Sequence, residues 1–179
     1  MVPAMDVVVG LGANLGDREA TLRSAVRELA ALGSLTGVSR LYETPPFGPP
    51  QPAYLNAAVR MDAEPAPGAF LEALLELERR HGRVRREKWG PRTLDLDILW
   101  IAGTVLDNAA LTVPHPRLRE RLFALLPLVD VAPDAIHPCT SETFRAQVLA
   151  LPADPGIHII AGSRWAGSWD RDEANFEDH

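Results

Sequence analysis

Cysteine and lysine are almost missing from this sequence: among 179 residues there is one of each, Cys139 and Lys88. A single thiol excludes an intrachain disulfide and suits a reducing cytoplasm. With no partner at metal-ligand spacing, Cys139 reads as a packing residue rather than a nucleophile. Long apolar runs are missing too. The longest, Leu122 to Val129, contains Pro127 and falls far short of the roughly 18 residues that a membrane helix needs. No Lys or Arg precedes Arg18, and Asp6 stands before the first apolar run, so no secretory pattern is expected. Phosphate-binding glycine motifs are absent as well. No Gly-x-x-x-x-Gly-Lys-Ser/Thr occurs, and the Rossmann spacing fails at Leu15. Gly10, Gly12 and Gly16 are therefore expected to serve a tight turn between a strand and a helix.

What is present is a globular composition. Hydrophobic residues at 46% and charged residues at 23% exclude disorder and collagen-like architecture. A single domain of this length buries roughly two thirds of its unfolded surface without a staple. The net charge is −6, yet the ten residues from Arg83 to Arg92 hold five basic groups and one acid. That stretch carries +4 and leaves −10 on the rest. A small positive island on an acidic chain argues against a nucleic-acid partner, whose footprint is broad. It suits a compact polyanion.

Met5 to Gly12 reads as a buried strand, and Asp17 as the N-cap of a helix running to about Leu32 and ending at Gly33. A second strand over Val38 to Glu43 enters the proline-rich loop Thr44-Pro-Pro-Phe-Gly-Pro-Pro-Gln-Pro52. Tyr54 to Met61 reads as a third strand, Pro67 to about His81 as a second helix, and Asp95 to Ile101 as a fourth strand. This β-α-β-β-α-β order predicts an α+β, ferredoxin-like sandwich: an antiparallel sheet with two helices on one face. Beyond it a short strand is expected at Thr104 to Leu106, short helices at Arg117 to Asp130 and Ser141 to Leu151, and a strand at Ile157 to Ile160. Residues 1–152 read as the functional domain, closed by a helical extension. Residues 153–179 read as a C-terminal extension with an acidic, frayed end.

The sharpest chemical signal is Asp95-Leu-Asp97. On a strand, residues i and i+2 share a face about 6.6 Å apart, so two carboxylates there repel and call for a cation. Mg²⁺ favours such oxygens together with substrate phosphates. An isolated Asp-x-Asp is more often a solvent-facing pair, but the preceding residues change its context. Arg83, Arg85, Arg86, Lys88 and Arg92 supply forks and charge for phosphate oxygens. Trp89 can stack on a flat ring, and Gly90-Pro91 makes the stretch a loop able to fold over a ligand. Cations for a triphosphate beside carboxylates for its metal ions form the general layout of phosphoryl transfer.

Lys88-Trp-Gly-Pro-Arg-Thr-Leu-Asp-Leu-Asp-Ile-Leu99 resembles the signature of the 6-hydroxymethyl-7,8-dihydropterin pyrophosphokinases of folate biosynthesis. Gly12-Ala-Asn14-Leu, Tyr42-Glu-Thr-Pro-Pro46, Tyr54-Leu-Asn56, Gly82-Arg-Val-Arg85 and Leu111-Thr-Val-Pro-His115 are similar to further motifs of that family, in the family's order. The resemblance covers about residues 5 to 150 and implies a ferredoxin-like enzyme that moves the pyrophosphoryl group of ATP to the pterin's hydroxymethyl oxygen, releasing AMP. It implies that Asp95 and Asp97 hold two Mg²⁺ ions, with Arg83 and Arg92 completing the catalytic set. ATP would be met by Arg83, Arg85, Lys88, Trp89, Arg92, Ile98, Leu111, Thr112, His115 and Arg121. The pterin would be met by Thr44, Pro45, Phe47, Tyr54, Asn56, Trp89 and Phe123, with Tyr54 and Phe123 sandwiching the ring. Phe47, Ala110 and Pro116 depart from the family's frequent residues. The expected partners are these small molecules, with no membrane and no nucleic acid, and the chain reads as cytoplasmic and as a monomer, with a dimer left open. A non-catalytic ferredoxin-like module that binds a nucleotide or metal is the alternative.

Overall fold

Val7, Val8 and Val9 are all completely buried, which a strand allows only when both its faces are covered. In the computed structural model, which describes residues 3–82 and 93–167, they sit in β1 (Met5–Ala13). The chain continues through α1 (Arg18–Leu29), which starts where the Asp17 carboxylate accepts a hydrogen bond from the Ala20 N–H at 3.1 Å. A 3-10 turn over Ala30–Leu32 leads to β2 (Gly33–Val38), β3 (Leu41–Thr44) and β4 (Tyr54–Ala63). Next come α2 (Pro67–Arg80) and β5 (Asp95–Ile101). The helix, opened by proline as expected, and the strand fall within a residue of the expected bounds.

The strands pair in the order β5-β1-β4-β3, and β2 lies against the far half of β4. Every pairing in this sheet is antiparallel. The expected single strand over Val38–Glu43 is two strands, β2 and β3, separated at Ser39 and Arg40. Ser39 spans the gap with its own side chain. Its N–H donates to Ala58 O at 2.9 Å, and its hydroxyl accepts from the Ala58 N–H at 2.8 Å. The protein is thus a mixed α/β structure built on an antiparallel sheet.

On one face, Val7, Val9 and Leu11 of β1 pack with Leu22 and Val26 of α1 and Phe70 and Leu74 of α2. Leu94, Leu96 and Ile98 join this core. The other face carries a second core, in which Val8, Ala58 and Trp100 meet α3 (Leu122–Val131) and α4 (Phe144–Ala150). The expected helices after residue 117 therefore form a third layer. Asp130, near the end of α3, clamps that layer to β3. It accepts from the Arg40 N–H at 3.1 Å, the Arg40 guanidinium at 2.8 and 3.1 Å, and the Tyr42 hydroxyl at 2.7 Å. Burial and the Asp130 carboxylate push Tyr42 well above the usual phenol range.

Between β5 and α3, β6 (Leu106–Asp107) pairs with β7 (Thr112–Val113). β6 begins at the last residue of the strand expected there. The chain ends its described course on the main sheet: β8 (His158–Ala161) adds antiparallel to β3. A 3-10 turn at Ser163–Ala166 then inserts Trp165 into the first core. Among the described residues no helix is long and apolar enough to cross a membrane.

Candidate active site

β1 and β5 set the site through their register. Gly12 lies opposite Asp95, and Gly10 opposite Asp97. Residues directly opposite in an antiparallel pair point to the same face, so two glycines and two aspartates share one patch on the α3 side. Elsewhere on that face β1 carries Val8, which is covered by the second core. At Gly10 and Gly12 β1 puts no side chain of its own above the sheet; Leu99 and Asn56 lean over it, and a cavity of about 320 Å³ opens beside them, within the usual range for small-molecule sites.

The two glycines are needed for space. A Cβ at Gly10 would lie 3.1 Å from a Leu99 methyl, and one at Gly12 would lie 3.0 Å from Asn56 Oδ1. Leu99 reaches that place because the β1–β5 register shifts: Val8 pairs with Trp100 but Val9 with Ile98. The turn expected to use these glycines uses only Gly16, at φ 67°. Gly10 and Gly12 lie inside the strand. The one sequence hint of this role is glycine at i and i+2, a spacing that leaves one face of a strand without side chains.

One wall of the cavity comes from β3, β4 and the loop between them. Thr44, Pro45, Phe47, Tyr54 and Asn56 all line it. Asn56 is nearly buried and donates to the Thr44 hydroxyl at 2.6 Å. The far end of the proline-rich loop is pinned from the turn after β1 and from the start of α1. Asn14 donates to Gln51 Oε1 at 2.9 Å and to Pro52 O at 3.0 Å. Arg18 donates to Ala53 O at 2.9 Å and pairs with Glu43 at 3.0 Å. Phe47, at 58% exposure, leans on Phe123 with ring centroids 5.5 Å apart.

The opposite wall carries a guanidinium, Arg121, beside a neutral imidazole, His115. His115 and Arg121 line the cavity with Phe123, and the Arg121 guanidinium sits 5.6 Å from the Phe123 ring centroid. Burial pulls His115 below the usual histidine range, and Arg121 adds to this while Asp95 opposes it. His115 Nδ1 accepts from the Arg117 N–H at 3.3 Å, so the neutral ring carries its proton on Nε2. Burial also pulls Arg121 down, followed by Arg117, against the two aspartates. Behind the carboxylates, the buried Glu78 of α2 accepts the Leu96 N–H at 2.9 Å, fixing the peptide between Asp95 and Asp97 on the outer edge of the sheet.

Ten residues expected at the site thus surround one cavity: Thr44, Pro45, Phe47, Tyr54, Asn56, Asp95, Asp97, His115, Arg121 and Phe123. Three others do not line it. Ile98 packs in the core between the sheet and α2, and Leu111 packs against that core. Thr112 is in β7, half-buried. Arg83, Arg85, Lys88, Trp89 and Arg92 lie outside the described residues. Leu11, Ala57, Leu99 and Ala124, besides the two glycines, line the cavity without having been expected there.

Residues 8–133 match the family model described as 7,8-dihydro-6-hydroxymethylpterin-pyrophosphokinase. The chain belongs to this family. Among its relatives, the 2-amino-4-hydroxy-6-hydroxymethyldihydropteridine pyrophosphokinase of Synechocystis sp. is 43% identical over 160 residues, covering 85% of this chain and 82% of that protein. The protein of the same name from Methylorubrum extorquens is 44% identical over 156 residues, covering 85% and 96%. Among solved structures, Plasmodium falciparum HPPK-DHPS with pteroate superposes with a TM-score of 0.67 at 15% identity. That likeness covers 84% of this chain and 43% of the other. It shows the fold alone, and this family member spans less than half of that longer chain.

Proposed function

We propose that this protein transfers the pyrophosphoryl group of ATP to the hydroxymethyl oxygen of 6-hydroxymethyl-7,8-dihydropterin, giving the pterin diphosphate and AMP in folate biosynthesis. The observation that carries this reading is the cavity in which Gly10 and Gly12 clear space beside Asp95 and Asp97, with aromatic and amide groups on one wall and the Arg121 guanidinium with the His115 imidazole on the other. A flat heterocycle fits the first wall. Tyr54, Phe47 and Phe123 offer ring faces, and Asn56 offers an amide to a hydrogen-bonding edge. The triphosphate fits the second wall, where His115 and Arg121 donate. Arg83, Arg85, Lys88, Trp89 and Arg92 are assigned to the phosphates and to closure over the site by the sequence resemblance. Ile98, its side chain committed to the core, can meet the nucleotide only through its backbone.

In the transfer, the hydroxymethyl oxygen forms a bond to the β-phosphorus while the bond from that phosphorus to the α,β-bridging oxygen breaks. AMP departs with that electron pair, and the hydroxyl proton is released. What the chain contributes is positioning and charge: the pterin wall aims the oxygen, and the wall carrying Arg121 holds the phosphates in line. Two Mg²⁺ ions fit the donor set. Asp95 and Asp97 offer hard carboxylate oxygens from one face, and among the described residues no third carboxylate, histidine or cysteine completes a cluster with them. That leaves positions for water and phosphate oxygens, the usual magnesium arrangement. Bound there, the ions would neutralise triphosphate charge.

The strand order, with α1 and α2 on one face, supports a ferredoxin-like description for residues 1–152, extended by α3 and α4, with residues 153–179 as a C-terminal extension. The unit is taken to act in the cytoplasm, as a monomer or a dimer. A nucleotide product assay with ATP, Mg²⁺ and the pterin tests the reaction. AMP formed only with pterin present, mole for mole with pterin diphosphate, is the expected result. ADP in its place would overturn the reading.

A further inference from the structure

The segment after α4 lies beyond residues 8–133, which the family model matches, yet it reaches the pterin side of the cavity. After α4 the chain turns at Asp154, whose carboxylate accepts the Gly156 N–H at 2.8 Å. Gly156 there faces the ring of Pro45. A Cβ built on Gly156 would lie 2.6 Å from Pro45 Cγ and 3.4 Å from Cδ. On its other side Pro45 lines the active-site cavity. A second hollow, of about 380 Å³, lies between the loop and this segment and shares Thr44, Pro45, Phe47 and Phe123 with the first. Pro45 is therefore a thin partition, with the ligand cavity on one side and the C-terminal segment on the other.

The segment is fastened at its far end. β8 pairs with β3, the strand that leads into Thr44, with His158 opposite Glu43 and Ile159 opposite Tyr42. Farther on, Trp165 is 6% exposed, and its indole N–H donates to Ser39 O at 2.8 Å. Its carbonyl accepts from Arg23 Nε at 2.9 Å. Anchor, added strand and turn together fix where Gly156 meets Pro45.

We propose that residues 153–166 form a strap that sets the pterin-side wall of the active site, with Gly156 as a positioning residue acting through Pro45 and Trp165 as its anchor. The proposal rests on the pterin assignment of that wall. It predicts a larger effect on the pterin than on ATP, because Gly156 touches Pro45 of the pterin wall directly, whereas the strap faces Glu120 and Leu122 only across the second hollow.

The test uses the full chain with Gly156→Ala and Gly156→Val, and Gly162→Ala as control, since a Cβ at Gly162 meets nothing within 4 Å. The valine variant should raise the pterin KM about tenfold, the alanine variant less, with the ATP KM held within about twofold. Gly162→Ala should leave both unchanged. Trp165→Phe, which keeps an aromatic ring but loses the hydrogen bond to Ser39, should shift the pterin KM in the same direction by less. Wild-type KM values in both Gly156 variants, or equal rises for both substrates, would overturn the strap. Wild-type protein without turnover would instead refute the assigned reaction. The strap would then be read by hydrogen exchange at Thr44 and Phe47: faster exchange in Gly156→Val supports it, and unchanged exchange overturns it.

Discussion

The two faces of β1 are made from the same nine residues and do opposite things. On one face Val7, Val9, Leu11 and Ala13 fill the space beneath α1 and α2, each at 2% exposure or less. On the other face Val8 is packed, but the next two positions are Gly10 and Gly12, and the strand carries no side chain there. The filled face holds the sheet to its helices. The emptied face makes room for a ligand beside the carboxylates of β5. In this protein the site is produced by withholding side chains from a strand that the opposite face keeps rigid.

That contrast can be broken from either side. The largest effect is expected from Asp97→Ala, opposite Gly10 on the emptied face. Turnover should fall about a thousandfold or more, on the order of 4 kcal/mol of barrier, while pterin affinity by calorimetry changes little. Full ATP-dependent activity in this variant would remove Asp97 from the metal site. Leu22→Ala, on α1 beneath the filled face and outside the cavity lining, should cost about 2–5 kcal/mol of folding stability. Urea unfolding measures this, and both KM values should stay near wild type where the protein is folded. A large KM change without lost stability would show that the faces are not separate. Smaller still is Tyr54→Ala, expected to weaken pterin binding by about 1–3 kcal/mol through lost stacking area. Unchanged affinity would take Tyr54 out of the pterin wall.

The parts legible in sequence are those whose signals are local. Asp95 and Asp97 could be placed on one face because strand period alone decides it, and the structure puts both on the cavity. α2 was readable from Pro67 and the apolar spacing that follows, and its observed end is one residue from the expected one. Gly10 and Gly12 were misread because a glycine near a strand end looks like a turn. Only the pairing with β5 and the approach of Asn56 from β4 show what the missing Cβ atoms make possible. The break at Ser39 was hidden for the same reason, since its hydroxyl replaces a ladder bond to Ala58 across 19 positions. Trp165 meets Ser39 across 126 positions, a contact that no windowed reading of periodicity can register. The basic stretch from Arg83 to Arg92 stays a sequence-based assignment, because it lies outside the described residues.

The most direct test of the emptied face is a calorimetric titration of the pterin into Gly12→Val. Valine suits a strand better than glycine does, but its Cβ crowds Asn56 Oδ1 at 3.0 Å, so β1 should still form with a lowered melting temperature. The added methyls would occupy the space next to Asn56 Oδ1 and Tyr54. The account predicts pterin affinity weakened about a hundredfold or more, roughly 3 kcal/mol, with the fold intact. Wild-type affinity in a folded Gly12→Val protein would contradict it and place the pterin elsewhere.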